Sequence, residues 1–500
     1  MGLTSSLRSL PKLISKGLFS GDGYKEVQGS ELFYQLTYMS AIASSGMSRN
    51  RIFSMAASLP IPPAEYFERI QLLVHKMGYD YTKACNAVGL VVKSETMSSL
   101  LLRMGTAFTS GQQERDFLAE ESLITGQIYE KEYERDLASL TKWTDAYAAI
   151  TVSATLIVII NMTSSLIQSM GDALLIGLVL TALFTTGITG WVLSRAAPKE
   201  TIDLFSEEGP RAQRLALQLR YVTTAATSVV AALLWLWGLA PGWILMICAL
   251  LLLPLGIFSI MAGAEIDRKD REFGPFLRSL GGMAVSTGTT IGEALSRIDL
   301  SSFPALESDL ERLRRRLKAA IEPELCWRHF AAETGSKLLG ETVKIFNDAV
   351  KLGGDPDVVA FQSAEFSSRT ILLRAKRKVT AATFTWLTVI MHGVVSALLV
   401  LVYEIVRSFT TLMQAATADI DMAAIQSSGS AMPIFNTPNV AFFGASVLVM
   451  LVALAFINAF SISATDGGHK TKLAFYLALM FVLSAACLIF LPSVVEGMLQ

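Results

Sequence analysis

The chain has 500 residues, of which 52% are hydrophobic and only 17% charged, against roughly 25% charged residues in an average soluble domain. A mean hydropathy of +0.46 excludes an ordinary soluble globular protein, and a formal net charge of −1 gives no global signal for nucleic acid as a partner. The apolar excess is localised. Seven runs with few or no charges reach membrane-crossing length, at about 144–161, 172–194, 221–238, 243–263, 384–405, 438–460 and 473–492. The fold class is therefore all-α: a polytopic membrane protein with about seven transmembrane helices and, as argued below, two homologous cytoplasmic helical bundles.

In chain order, residues 1–29 are a basic segment. Leu3, Leu7, Leu10, Ile14 and Leu18 fall along one helical face, with Arg8, Lys12 and Lys16 elsewhere. Pro11 interrupts this pattern and no unbroken apolar stretch of a cleavable signal peptide follows. A membrane-surface helix and a frayed basic tail both remain open.

Residues 30–142 read as a first helical domain. Phe33, Leu36, Met39 and Ile42 mark a helix that stops near Gly46, after which Ser48 can cap a short helix carrying Ile52, Phe53 and Ala56. Further helices are expected at 64–77, 94–108 and 113–142, with Pro60-Ile61-Pro62-Pro63 as a rigid turn. Residues 143–263 hold four spans with a loop near 195–220. A second helical domain occupies 264–380: Phe276, Leu280 and Met283 lead to Gly288, Thr290 can cap the helix carrying Ala294 and Leu295, and helices follow at 305–318, 323–351 with a break near Gly335, and 356–380. Residues 381–500 hold three more spans and a loop near 408–437.

Lysine and arginine set the orientation. With the N-terminus inside, the outer segments 162–171, 239–242, 408–437 and 493–500 contain neither residue, whereas Arg195, Lys199, Arg211, Arg214, Arg220, Lys470 and Lys472 lie on inner connections. This positive-inside pattern puts the N-terminus and both charged domains in the cytoplasm and the C-terminus outside the plasma membrane. Trp143, Trp191, Trp235, Trp237, Trp243 and Trp386 lie near predicted membrane ends; Trp327 alone sits within a charged block, where core packing accounts for it.

The two charged domains are copies. Lys142-Trp143 opens one apolar span and Trp386 another, and in nearly the same register Ser44-Ser45-Gly46-Met47-Ser48 aligns with Ser286-Thr287-Gly288-Thr289-Thr290, and Ser110-Gly111-Gln112 with Gly353-Gly354-Asp355. Gly46 and Gly288 suit helix ends, and Gly111, Gly353 and Gly354 suit turns. This order of helix break, glycine turn, long charged helix and apolar span, over about 30–163 and 270–408, resembles the type II secretion system F domain, the membrane platform of type IV pilus, type II secretion and archaellum machines. Seven spans look more like the archaeal archaellum or pilus platform subfamily; the extra spans, 172–263 and 438–492, depart from the three-span bacterial pattern.

The resemblance implies a non-catalytic platform that docks a cytoplasmic hexameric secretion-type ATPase, couples its motion to insertion of pilin- or archaellin-like subunits, and forms a homodimer in the lipid bilayer. Helices Asp116–Trp143 and Ala360–Trp386 are the candidate levers. Arg312, Arg314, Arg315, Arg316 and Lys318, with Glu114, Arg115 and Asp116, are the candidate ATPase-docking surface; a solvated helix face is the other reading of the basic run. A second run, Arg374, Lys376, Arg377 and Lys378, reads as an anchor to anionic headgroups. The loop at 408–437, where Asp419 and Asp421 are the charges, is either a contact for filament subunits or a connector.

Catalytic and cofactor signals are weak. Gly335-Ser336-Lys337-Leu338-Leu339-Gly340-Glu341-Thr342 has phosphate-loop glycine spacing, but Glu341 stands where a lysine is needed. His75, His329, His392 and His469 are isolated, and Cys85, Cys248, Cys326 and Cys487 lack paired spacing. No catalytic, cofactor-binding or metal residue is assigned. A transporter or channel with cytoplasmic helical domains is the alternative, and it calls for ionisable groups near the bilayer midplane. His392 is the one such group well inside a predicted span.

Overall fold

The computed structural model describes residues 27–164, 172–200, 209–418 and 439–499. The amphipathic pattern at 2–19 and the loop residues 419–437, with Asp419 and Asp421, lie outside the described residues. Those described are helical, with no β-strand among them. In chain order the helices are α1 (Gly29–Ser44), α2 (Arg49–Ala57), α3 (Ala64–Met77), α4 (Tyr81–Gly89), α5 (Glu95–Ser110), α6 (Glu114–Ser164), α7 (Asp172–Ala196), α8 (Arg211–Leu236) and α9 (Pro241–Thr287). They continue with α10 (Ile291–Arg297), α11 (Glu307–Lys318), α12 (Pro323–Thr334), α13 (Lys337–Lys351), α14 (Pro356–Ala418), α15 (Val440–Asp466) and α16 (Leu473–Leu499). Seven of them, α6 to α9 and α14 to α16, are long and apolar enough to cross a membrane, so the chain is an all-α polytopic membrane protein.

The chain divides into two compact units. The first takes residues up to 132 together with 269–331 and 338–371, and the second takes the rest. In the first unit the two copies are not separate bodies, because one hydrophobic cluster holds residues of both, including Phe33, Tyr38, Phe53, Phe276, Phe330 and Phe346. Phe33 and Tyr34 of α1 pack their rings on Phe366 of α14, at centroid distances of 5.1 and 5.8 Å. Tyr38 donates to Asp348 of α13 at 2.8 Å. Burial first, and Asp348 second, hold the Tyr38 phenol well above its usual range, so the group stays protonated and donates.

Local chemistry explains the helix ends. Ser94 accepts from the Met97 N–H, Thr290 from the Glu293 N–H and Asp80 from the Thr82 N–H, each satisfying a donor that the first helical turn leaves open. Trp327 is 3% exposed and meets Phe330 and Phe346 edge-on, as core packing requires. Residues 337–342 are helical and Gly335 has φ +71, so this glycine-spaced stretch is a helix break and a helix start, not a phosphate loop. Helix α4 lies outside the helices that periodicity predicts, because nine residues are too few for a repeating apolar face to show.

The second unit contains the apolar lengths of the spanning helices, with α15 packed on α16 and on α7. Close approach is set by small residues. A Cβ on Gly256 of α9 would fall 2.5 Å from the Phe475 Cα of α16, leaving no room for a side chain there.

Two substitutions in the shared core separate packing from hydrogen bonding. Phe33→Ala is expected to cost about 3–5 kcal/mol, and Tyr38→Phe about 1 kcal/mol. Unfolding of the full chain in detergent, followed by near-UV circular dichroism, measures both; equal losses would contradict the packing assigned to Phe33.

Candidate functional site

The candidate docking residues occupy two places in the first unit. At the start of α6, the Glu114 carboxylate accepts from the Arg49 guanidinium, at 2.8 Å from Nε, and Arg49 lies 4.0 Å over the Phe108 ring. Burial pushes the Glu114 carboxyl up, but the Arg49 bond, the backbone N–H and the Arg49 charge outweigh it and leave the group below its usual range. Glu114 thus ties α2 to α6, while Arg115 and Asp116 are exposed.

On α11 the basic run faces its own acids. Arg312 pairs with buried Asp309, which also meets Lys269 at 2.9 Å; Arg314 pairs with Glu311 at 3.0 Å and Arg315 with the same carboxylate at 4.0 Å. Arg312, Arg314 and Arg316 are half-buried, and Arg315 and Lys318 are exposed. The surface cations of this helix are therefore fewer than its sequence advertises.

The glycines of the two copies have matching backbones. Gly46 and Gly288 end the first helix of each copy with φ of +70 and +61, and Gly111 and Gly353 precede the long helices with φ of +79 and +90, the left-handed region that a side chain disfavours. Gly354 is different: a Cβ there would lie 2.9 Å from the Ala349 carbonyl oxygen.

The second basic run differs most from the sequence expectation. Instead of reaching headgroups, Arg374 and Arg377 turn inward and are 7% and 4% exposed. Arg374 Nε donates to Glu200 at 2.6 Å, and Lys376 Nζ to Glu134 of α6 at 2.6 Å, while Lys378 pairs with Asp267 of α9. Arg377 donates from Nε to the Thr465 carbonyl at 3.0 Å, from Nη1 to that of Pro198 at 2.9 Å and from Nη2 to that of Ala464 at 3.0 Å. Its planar fork reaches the three carbonyls from three different nitrogens, a spacing that the single nitrogen of a lysine does not reproduce. Gly467 makes room for it, since a Cβ there would stand 2.7 Å from the guanidinium carbon.

One length of α14 thus fastens α6, α9, the segment after α7 and the end of α15. No sequence signal separates an inward basic run from a headgroup anchor. The carboxylates that could have hinted at it, Glu134, Glu200 and Asp267, are scattered along the chain.

Deeper among the spanning helices is a buried polar chain. Tyr147 of α6 donates to Asn458 of α15, whose amide N–H donates to His392 Nδ1 of α14 at 3.0 Å, and His392 Nε2 lies 2.9 Å from Ser484 Oγ of α16. Four helices each contribute one residue, and both ring nitrogens of His392 are engaged. Such a chain holds helix register where lipid offers no polar partner.

The chain is similar to a protein of Methanocaldococcus jannaschii named Flagella accessory protein J, 24% identical over 433 residues that cover 84% of this chain and 76% of the relative. It is also similar to the like-named protein of Methanococcus voltae, 22% identical over 451 residues, covering 87% and 79% of the two chains. No family model matches the chain, and no solved structure matches it.

Breaking the inward run should be costly. Arg377→Ala, and equally Arg377→Lys, should destabilise the second unit by about 3 kcal/mol or more, because buried carbonyls lose their donors. Arg315→Ala and Lys318→Ala should stay within about 0.5 kcal/mol. Thermal unfolding in detergent compares them, and full rescue by lysine at 377 would refute the three-carbonyl fork.

Proposed function

We propose that this chain is the non-catalytic membrane platform of an archaellum- or type IV pilus-like assembly machine. It docks a cytoplasmic hexameric ATPase and couples the motor's motion to insertion of pilin-like subunits into the filament. The likeness to two flagella accessory proteins over most of the chain supports the assembly-machine class. The observation that carries the mechanical part is continuity. Each copy of the module ends in an unbroken helix, α6 or α14, whose charged first part runs into an apolar second part, and Lys376 joins the two helices through Glu134.

A continuous helix with its hydrogen bonds intact carries a displacement that a flexible linker would dissipate. In this reading the inward basic run on α14 makes α6, α9 and α14 respond together. Both charged modules and the N-terminus face the cytoplasm, where the motor is. Arg315 and Lys318 on α11, with Arg115 and Asp116 at the start of α6, are the exposed charges offered to it.

Transport is the competing class. Its one intramembrane ionisable candidate, His392, is committed at both nitrogens to neighbouring helices, which favours packing over a relay. Substrate-dependent flux in proteoliposomes holding only this protein would overturn the platform reading.

Affinity capture from native membranes after mild detergent extraction tests the proposal directly. A hexameric secretion-type ATPase and pilin-like proteins are expected in the eluate. The paired reversal Arg315→Glu and Lys318→Glu should cut ATPase recovery by about tenfold, the scale of losing two interfacial charge contacts, with no change in melting temperature. Unchanged recovery would move the docking surface elsewhere. Cysteine labelling at positions 60 and 308, both exposed, should report the same side of the membrane; opposite sides would refute the platform topology.

A further inference from the structure

Helix α8 packs less than the other spanning helices. Only 6% of its spanning window is buried, against 28–44% in the other six. Between it and α9, α15 and α16 lies a cleft of about 420 Å³. Thr227, Ala231 and Trp235 line the α8 side, and Cys248, Val452 and Phe481 line the opposite wall.

The walls decide what can fill it. Thr227 donates to the Thr223 carbonyl at 2.7 Å and Ser228 to that of Thr224 at 3.0 Å, so both hydroxyls are spent on their own helix. Water needs two to four polar partners to settle in such a space, and apart from these two hydroxyl oxygens, Trp235 and Cys248 the lining is apolar. A partner's spanning helix is too thick: a single turn, roughly 10 Å across and 5.4 Å long, already occupies about 400 Å³. A hydrocarbon chain is slim enough and is what surrounds these helices.

Charge beyond the Thr227 end of the cleft adds an independent observation. Arg220 precedes Thr227 by about 10 Å along α8 at 1.5 Å per residue, and Lys470 stands just ahead of α16, which carries Phe481. Arg220 Nη2 donates to the Tyr221 hydroxyl at 2.7 Å, yet its Nε is buried without a hydrogen-bond partner. Among the described residues no carboxylate pairs with Arg220 or with exposed Lys470, whereas Lys472 is tied to Asp466 at 2.8 Å. These cations converge on His469: burial, then the charges of Arg220, Lys470 and Lys472, hold its imidazole down at about 4.

We propose that the cleft and its terminal cations form a binding site for one anionic membrane lipid, with the phosphate held by Arg220 and Lys470 and a hydrocarbon chain filling the space beside α8. The lipid then supplies the packing that the protein itself does not give this helix. The inference rests on the membrane-embedded fold alone and is independent of the platform reading.

Native mass spectrometry of the full chain, delipidated in mild detergent and then titrated with phosphatidylglycerol, tests it. One tightly held lipid per chain is expected. Ala231→Trp, which fills the cleft, and the pair Arg220→Gln with Lys470→Gln, which removes the charge outside the span, should each weaken binding by about tenfold or more. Leu233→Trp, exposed on the opposite face of the same helix and outside the cleft lining, should not. Should Ala231→Trp fail to fold by thermal melting, the charge pair gives the answer alone.

Wild-type affinity in both the filled and the charge-neutralised variants would overturn the proposal. So would equal competition by soluble glycerophosphate, which would mark a free-anion site. Complete disulfide dimerisation of Ala231→Cys in membranes would assign the cleft to a second copy and equally end it.

Discussion

A guanidinium buried away from water must find acceptors for its N–H groups or cost several kcal/mol. At Arg377 the acceptors are the carbonyls of Pro198, Ala464 and Thr465, which come from two other segments of the chain. That requirement organises the second unit. The end of α15 has to turn at Gly467, where no side chain can stand, and the segment after α7 must come to α14 to offer Pro198 and Glu200. Arg374, Lys376 and Lys378 repeat the demand toward Glu200, Glu134 and Asp267. Pairing so many charges in one place specifies geometry more than it adds stability, since desolvation offsets much of the Coulomb gain.

The first unit solves a different problem with apolar surface. Each copy of the module is small, and α1, almost wholly buried, cannot be covered by its own copy alone. Rings from α1 rest on Phe366 of the other copy, and the Tyr38 hydroxyl finds Asp348 there. The two charged segments therefore form one core. Around this shared core, Arg115 and Asp116 at the start of α6 and Arg315 and Lys318 at the end of α11 stay exposed.

Much of this was legible in the sequence because it depends on short-range rules. Apolar runs long enough to cross lipid must be helical, since hydrocarbon offers backbone groups no partner, and the described residues hold seven such helices. Helix ends at left-handed glycines and at Ser94 or Thr290 follow from the chemistry of unsatisfied N–H and C=O groups. The recurrence of Gly46 as Gly288 and of Gly111 as Gly353 is visible as a pattern of letters. Helix α9 shows where the rules ran out: the charged stretch Glu265–Glu272 looked like a domain edge, yet intrahelical hydrogen bonding is indifferent to side-chain charge and the helix runs on to Thr287.

Sequence alone determined the all-helical class, the spans and the positions of the glycine turns, because each is set by residues within a few turns of one another. The tertiary structure decided which charges are surface and which are interior. Arg312 and Arg377 look alike as letters, but one meets an acid three residues earlier and the other meets carbonyls from distant segments. It also decided that the copies share a core and that α8 stands beside a cleft. These outcomes turn on pairings between residues far apart in the chain, and local periodicity carries no information about them.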